Sequence, residues 1–348
     1  MLDYKELLAE QSHLWDLYSR KEEYGATQLD KHGRFTFAAS KHKDIEDAPV
    51  SRFLFSKGIV PQYPNGKKFA ICLTHDVDDI YPPLIHTLAS SVTCIKKFNI
   101  KDLVSQWSQQ ISKNKKSPYR NFDQIMHLEA KYNAKSTFYF MATDKDIRRA
   151  YNIRDVVDDL MVIIKSGWDI GLHTGYYSYD QVEKVIEEKQ RLENVIGKQI
   201  LGCRNHYLRF KTPTTWELLA QAGFKYDTTY GYPDAVGFRN GTCWPFKPYN
   251  LNNSSQIDIM EIPLNIMDGT LFGYMNLNLQ QAKEKTMKLI EVVRELHGVL
   301  TVLWHNSIFS WPYRQQWAEL YEWLLQYASE KDAWLTSPDE LYKMYIEN

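Results

Sequence analysis

From Phe69 onward the sequence alternates short apolar runs of strand length with longer segments of helical periodicity, and this alternation limits the possible folds more than any other feature. The runs are FAICLT (69–74), STFYFMA (136–142), WDIGL (168–172), QILGC (199–203), FKYD (224–227), IDIMEIPL (257–264) and GVLTVLW (298–304), with AWLT (333–336) a weaker eighth. Strands alternating with helices predict βα units around a parallel sheet. The helical segments carry matching punctuation. Val182, Val185, Ile186 and Leu192 stripe one that Gly197 closes. Trp216, Leu219 and Ala220 stripe the next, opened by Thr212-Pro213 and closed by Gly223. Leu279, Ala282, Leu289, Ile290, Val293 and Leu296 stripe a long one, and Ser337-Pro338-Asp339-Glu340 reads as a capping box that opens the last. Seven or eight such steps predict an α/β fold, a (β/α) barrel or a distorted version of one.

Two segments lie outside the rhythm. Residues 1–66 read as an N-terminal extension packed on a barrel that spans 67–348. Leu7, Leu8, Trp15 and Tyr18 predict one amphipathic helix in it, and PQYPNGKK ends it as a turn cluster. The crossover after the first strand, about 80–135, is long enough for a helical insertion, one helix carrying Leu84, Leu88, Val92 and Ile95, another Leu103, Val104, Trp107 and Ile111. With 42 Lys+Arg against 43 Asp+Glu, and no basic block beyond short pairs and KNKK at 113–116, the chain lacks an electrostatic footprint for nucleic acid. No apolar stretch is long enough to predict a membrane span. Cys72, Cys94, Cys203 and Cys243 lie far apart without CxxC spacing, and no basic region followed by an apolar one opens the sequence, so the expected compartment is the cytosol.

The residues that can do chemistry cluster at the carboxyl ends of these runs. The first ends in Thr74-His75-Asp76-Val77-Asp78-Asp79, the third in His173-Thr174, the fourth in Arg204-Asn205-His206-Tyr207, the fifth in Asp227 and the seventh in His305-Asn306. Parallel strands share a carboxyl end, so these groups converge on one rim, where such folds place their sites. Any one of them alone is more simply a cap or a solvated loop start; the set together reads as a site. Residues two apart in a strand face the same side, so Asp76 and Asp78 reach one centre and repel unless cations intervene. A divalent metal beside Asp78 and the Arg204 guanidinium beside Asp76 would leave Asp76 ionised as a general base toward water. His173 is placed as an imidazole ligand, and His305, across the rim, as a proton donor near a leaving group. Tyr207 and Trp244 are candidate aromatic contacts for a substrate. The stretch GFRNGTCWPF (237–246) reads as a loop that walls the site and offers Arg239 to an anionic group; Asp268 is a weaker candidate.

These motifs resemble those of the polysaccharide deacetylase family, the NodB homology domain of carbohydrate esterases, over residues 67 to about 336. The resemblance implies a distorted (β/α) barrel of NodB type, with Asp76 as catalytic base and Asp78 as metal ligand in LTHDVD. His173 opens a variant of the His-(Ser/Thr)-x-x-His motif. Arg204 would hold the base, a backbone N–H near Tyr207 would face the oxyanion, and His305 of Leu303-Trp304-His305 would be the general acid, supported by Asp227. The second histidine of that motif is replaced by Tyr177, which leaves Asp78 and His173 as two ligands where catalytic zinc normally has three. His206 is the preferred third; Tyr177 with extra waters, or loss of the metal, are the other readings. The implied cofactor is a divalent metal, zinc first, with cobalt or nickel as alternatives. The implied activity is removal of an acetyl group, N-acetyl first, from an acetylated sugar or oligosaccharide in surface-polysaccharide metabolism. A cyclic amide or imide hydrolase of the same fold, and a catalytically silent carbohydrate-binding or scaffold protein, are the alternatives.

Overall fold

A computed structural model of the chain describes residues 4–96, 98–112, 117–144, 146, 151–310 and 314–347; the lysine-rich stretch 113–116 and the Ile111 side chain lie outside the described residues. The strands are β1 (Ala70–Val77), β2 (Thr137–Met141), β3 (Asp169–Thr174), β4 (Gly202–Asn205), β5 (Tyr226–Asp227), β6 (Tyr249–Asn250), β7 (Ser255–Gln256), β8 (Met260–Glu261), β9 (Leu264–Met267), β10 (Val299–Leu303) and β11 (Trp334–Thr336). Apart from the β6–β7 hairpin they form one parallel sheet in the order β8-β5-β4-β3-β2-β1-β10-β9, curled into a distorted (β/α) barrel. β11 pairs with the start of β1, along Ala70–Cys72, while β2 pairs with its end, along Thr74–Val77.

The run 257–264, expected as one strand, is two. Pro263 has no N–H to give a ladder. The chain crosses there from β8, beside β5, to β9, beside β10, at the opposite end of the strand order. Among the described residues β8 and β9 do not pair, so the barrel is closed covalently rather than by hydrogen bonds.

β1 is buried along its whole length because both faces are covered. Ile71 and Leu73 face the helices, in the main core. Ala70 and Cys72 face the barrel interior with Tyr139 and Tyr226. Those two rings fill the interior because glycines stand in register beside them, Gly171 opposite Tyr139 and Gly202 opposite Tyr226. A Cβ on Gly171 would meet Tyr139 at 2.2 Å, and one on Gly202 would meet Tyr226 at 1.9 Å. All four cysteines are free and buried.

The helices keep most of the expected punctuation. Val182–Ile196 ends on Gly197 in the left-handed conformation (φ 71°), and Ser337 Oγ accepts from the Glu340 N–H at the start of Pro338–Glu347. The helix expected to open at Thr212-Pro213 begins at Thr214, because the Thr212 hydroxyl donates to Glu23 (2.7 Å) instead of capping. The single N-terminal helix is two, Lys5–Ala9 and Ser12–Tyr18, broken at Gln11, whose backbone is non-helical. Leu8, Leu14, Tyr18, Val50 and Leu54 of residues 1–66 join the main core. The long crossover carries the helices Leu84–Lys96, Ile100–Ser112 and Phe122–Ala130.

Candidate functional site

Thr74 and Asp76 face the barrel interior from β1, and His75 between them points outward. There His75 Nδ1–H donates to the Trp304 carbonyl (2.8 Å), and its Nε2 lies 2.8 Å from Glu129, which also accepts from Tyr321, Ser136 and Trp168. This outward network clamps the strand directly beside Asp76. On the inner side Arg204 Nη1, fully buried, donates to Asp76 Oδ1 (3.1 Å) and to Thr74 Oγ1 (2.7 Å), and its Nε donates to the Thr228 carbonyl. Asp76 is thus held through one carboxylate oxygen, and Oδ2 faces the cleft.

The cleft, about 180 Å³, is lined by Asp76, Asp78, His173, His206, His305 and Tyr207, with Arg34, Leu208, Met267, Gly269 and Tyr274 around them. His173 on β3 donates Nδ1–H to the Arg204 carbonyl (2.9 Å), which fixes the ring and turns Nε2 toward Asp78 Oδ1 at 3.2 Å. His206 Nε2 lies 4.0 Å from Asp78 Oδ2. Ligand atoms of Asp78, His173 and His206 all fall within 4.8 Å of one another.

These residues fit a divalent cation. Asp78 Oδ1 is buried and accepts no hydrogen bond despite the imidazole beside it. Burial works against the Asp78 carboxylate, but the three histidines around it outweigh that and hold it well below the usual range. Burial pushes His206 down to about 4, against the pull of Asp78, so at neutral pH its ring is uncharged and can donate a lone pair. Burial also disfavours a charged His173, yet Asp76 and Asp78 raise it above its ordinary value. The carboxylates that draw a proton to that nitrogen would draw a metal ion to the same place. One carboxylate and two imidazoles are the donor set of a zinc site with an open position.

Across the cleft, His305 donates Nδ1–H to Asp268 Oδ1 (2.8 Å) and its backbone N–H to Asp268 Oδ2 (2.8 Å), and its Nε2 lies 3.6 Å from Asp78 Oδ2. Burial disfavours the imidazolium, but Asp268, with Asp78 and Asp76 behind it, raises its pKa to about 10.

Four expectations are corrected here. Asp227 does not support His305. It is buried at the end of β5, accepting from the Thr229 hydroxyl (2.6 Å), and Asp268 occupies the supporting position. Arg239 is not offered to a ligand. It is buried with both Nε and Nη2 on Glu23 (2.9 Å each) and Nη1 on the Gly231 carbonyl. Trp244 is a core residue whose indole N–H donates to the Leu296 carbonyl. The stretch 237–246 does not wall the cleft, because residues 45–51 cover it, with Phe238 N–H donating to Ile45 O and Val50 N–H to Gly241 O. Tyr177, in the place of the second histidine, is 40% exposed and does not line the cleft.

Arg34 is a cleft residue that no sequence signal singled out. The extension carries it into the cleft wall, where Nη1 donates to the Tyr207 carbonyl (2.8 Å), Nη2 to the Tyr274 hydroxyl (2.9 Å) and Nε to Asp30. Tyr207 itself has φ 61°, a left-handed conformation uncommon for a tyrosine, and Arg34 anchors its carbonyl.

No family model matches the chain, and no curated protein matches it. Solved structures do. A putative polysaccharide deacetylase from Mycobacterium smegmatis aligns over 82% of this chain and 93% of its own, with 18% identity and a TM-score of 0.55. A CE4 family pseudoenzyme from Bacillus anthracis covers 82% of this chain and 68% of its own at 10% identity and a TM-score of 0.42. The peptidoglycan deacetylase PdaC from Bacillus subtilis covers 82% and 94% at 12% identity and a TM-score of 0.38. The chain shares the fold of that M. smegmatis protein, a distorted (β/α) barrel of the NodB type.

Proposed function

We propose that this chain is a metal-dependent hydrolase that removes an acetyl group, N-acetyl first, from a carbohydrate. One observation carries the reading. A carboxylate fixed by arginine (Asp76–Arg204) and an imidazole fixed by a carboxylate (His305–Asp268) face each other over a floor where Asp78, His173 and His206 converge. Asp78, His173 and His206 would hold the cation, zinc first, with cobalt or nickel as alternatives. Bound there, it would supply Lewis acidity, polarising the acetyl carbonyl and acidifying water.

The chain's own residues do the rest. Asp76 takes the proton of the attacking water on Oδ2, the oxygen Arg204 leaves open, while the water oxygen bonds to the acetyl carbon. His305, protonated at neutral pH, gives the Nε2 proton to the sugar nitrogen as the carbon–nitrogen bond breaks, releasing acetate and the free amine. Tyr207 and Tyr274 line the cleft beside the sugar. The site of action belongs to the same proposal: the cytosol, on a precursor of a surface polysaccharide.

The test is acetate release from N-acetylated oligosaccharides by zinc-loaded protein. Asp76→Asn is expected to lower kcat on the order of 100-fold or more while zinc content stays unchanged, since Asp76 is a base and not a ligand. Unchanged turnover in that variant, or no acetate release from any acetylated sugar by the loaded wild type, contradicts the reading.

A further inference from the structure

The hairpin formed by Leu84–Lys96 and Ile100–Ser112 is amphipathic with its faces reversed. In the first helix Thr87, Ser90, Ser91 and Cys94 are buried. Trp107 Nε1 donates to Ser91 Oγ (3.0 Å) and Gln106 approaches Cys94 Sγ, so the small polar face packs on the second helix. The apolar face turns outward. Ile85 is 71% exposed and Ile95 62%, with Leu88 and Val92 between them on the same side, and the turn presents Phe98 at 91% and Ile100 at 72%. Of the fifteen large hydrophobic residues exposed among the described residues, nine fall between 84 and 107. The others are scattered. A soluble surface does not ordinarily concentrate apolar side chains in this way without something to cover them.

Charge identifies the cover. Lys96 and Lys101 flank the exposed tip. The sequence from 84 to 116 carries six lysines and one acid in a chain of net charge −1. That acid, Asp102, accepts a hydrogen bond from the Asn99 side chain (2.6 Å). A second copy of the chain would bring like charges against like. Anionic lipid headgroups would match them, while lysine stems lie along the apolar stripe and their ammonium groups stay at the headgroups. Among the described residues no helix is long and apolar enough to cross a membrane, which leaves lying on the surface.

We propose that this hairpin docks the protein on an anionic bilayer, with Ile85, Leu88, Val92 and Ile95 sunk beneath the headgroups, Phe98 and Ile100 leading at the tip, and Lys96 and Lys101 on lipid phosphate. The hairpin leaves the barrel just past Asp78, at the strand end that carries the cleft. Docking therefore keeps that rim near lipid-attached saccharides. This consequence rests on the deacetylase reading; the docking does not, and its test needs no activity.

The experiment is flotation of the full chain with phosphatidylcholine vesicles, with and without phosphatidylglycerol. The protein is expected to float with the phosphatidylglycerol vesicles and on the order of tenfold less with phosphatidylcholine alone or at about 1 M salt. The double variant Ile95→Asp/Phe98→Asp is expected to lose at least about tenfold of the binding while keeping the wild-type melting curve, since both side chains are solvent-exposed. Lys96→Glu/Lys101→Glu is expected to weaken binding to anionic vesicles only. Absence of flotation with any vesicle, equal flotation of the Asp variant, or a solution dimer that the Asp variant abolishes would each overturn the proposal.

Discussion

His305 and Asp76 serve opposite ends of one reaction because their partners differ in sign. Arg204 donates to the Asp76 carboxylate, and Asp268 favours the imidazolium at His305. Since the pKa of His305 is raised to about 10, the donor is present throughout neutral pH and is lost as pH rises through that value. Removing the Asp268 charge lowers it. Asp268→Asn is therefore expected to move the alkaline limb of the kcat profile to lower pH and to reduce kcat on the order of 10- to 100-fold. A limb that does not move would place the proton donor elsewhere. Asp76, Asp78, His173, Arg204, His206 and His305 were legible in the sequence as one set because each lies within four residues of the end of an apolar run. Asp227 was legible for the same reason and misled, because its strand ends inside the core, where it pairs with Thr229 and not with solvent-facing groups. Arg34 carried no signal: it sits in an aperiodic stretch and reaches the cleft only through the path of the extension.

At the scale of elements, the strands were legible wherever apolar residues ran unbroken, and their ends were not. β1 continues to Val77, beyond the apolar run that ends at Thr74, because Thr74, His75 and Asp76 are all buried and all bonded, a pattern that reads in sequence as a loop. The run 257–264 read as one strand because apolar pattern does not show that Pro263 sends its halves to different neighbours. The Tyr–Gly pairs show how closely the elements fit. Gly202→Ala would place a methyl group 1.9 Å from Tyr226, whose hydroxyl is bonded to Asp339 and whose ring is fully buried. Overpacking of this kind costs about 1–3 kcal/mol or more. The variant is expected to melt several degrees lower, checked by calorimetry, and a wild-type melting temperature would show that the interior yields at that point.

At the scale of the molecule, residues 1–66 are joined to the barrel by a buried charge cluster. Glu23 accepts from Arg20 of the extension and Arg239 of the barrel, with Tyr230 and Thr212 completing its bonds. Burial opposes its charge, yet the two arginines lower its pKa from 4.5 to about 2. A lowered carboxylate pKa contributes stability that is complete above 4.5 and is lost as pH falls toward about 2, on the order of 3 kcal/mol here. Glu23→Gln, which leaves the buried Arg239 without a carboxylate and Arg20 with Glu22 alone, is expected to cost about 3–5 kcal/mol at pH 7 and to flatten the acid limb between about 4.5 and 2. Urea melts at a series of pH values check both; an acid limb as steep as the wild type would remove Glu23 from the linkage. That the extension packs on the barrel was expected from its size alone, and the sequence held no sign of which residues join it, since a buried Glu–Arg pair reads like any surface charge.

Three side chains from three strand ends must meet at one cation for this chemistry to run, and metal stoichiometry tests that most directly. Protein loaded with zinc and freed of excess by gel filtration is expected to retain roughly one equivalent per chain. His206→Ala is expected to lose most of it, and Tyr177→Phe to keep it. Equal zinc in the two variants, or none in the wild type, would contradict the site.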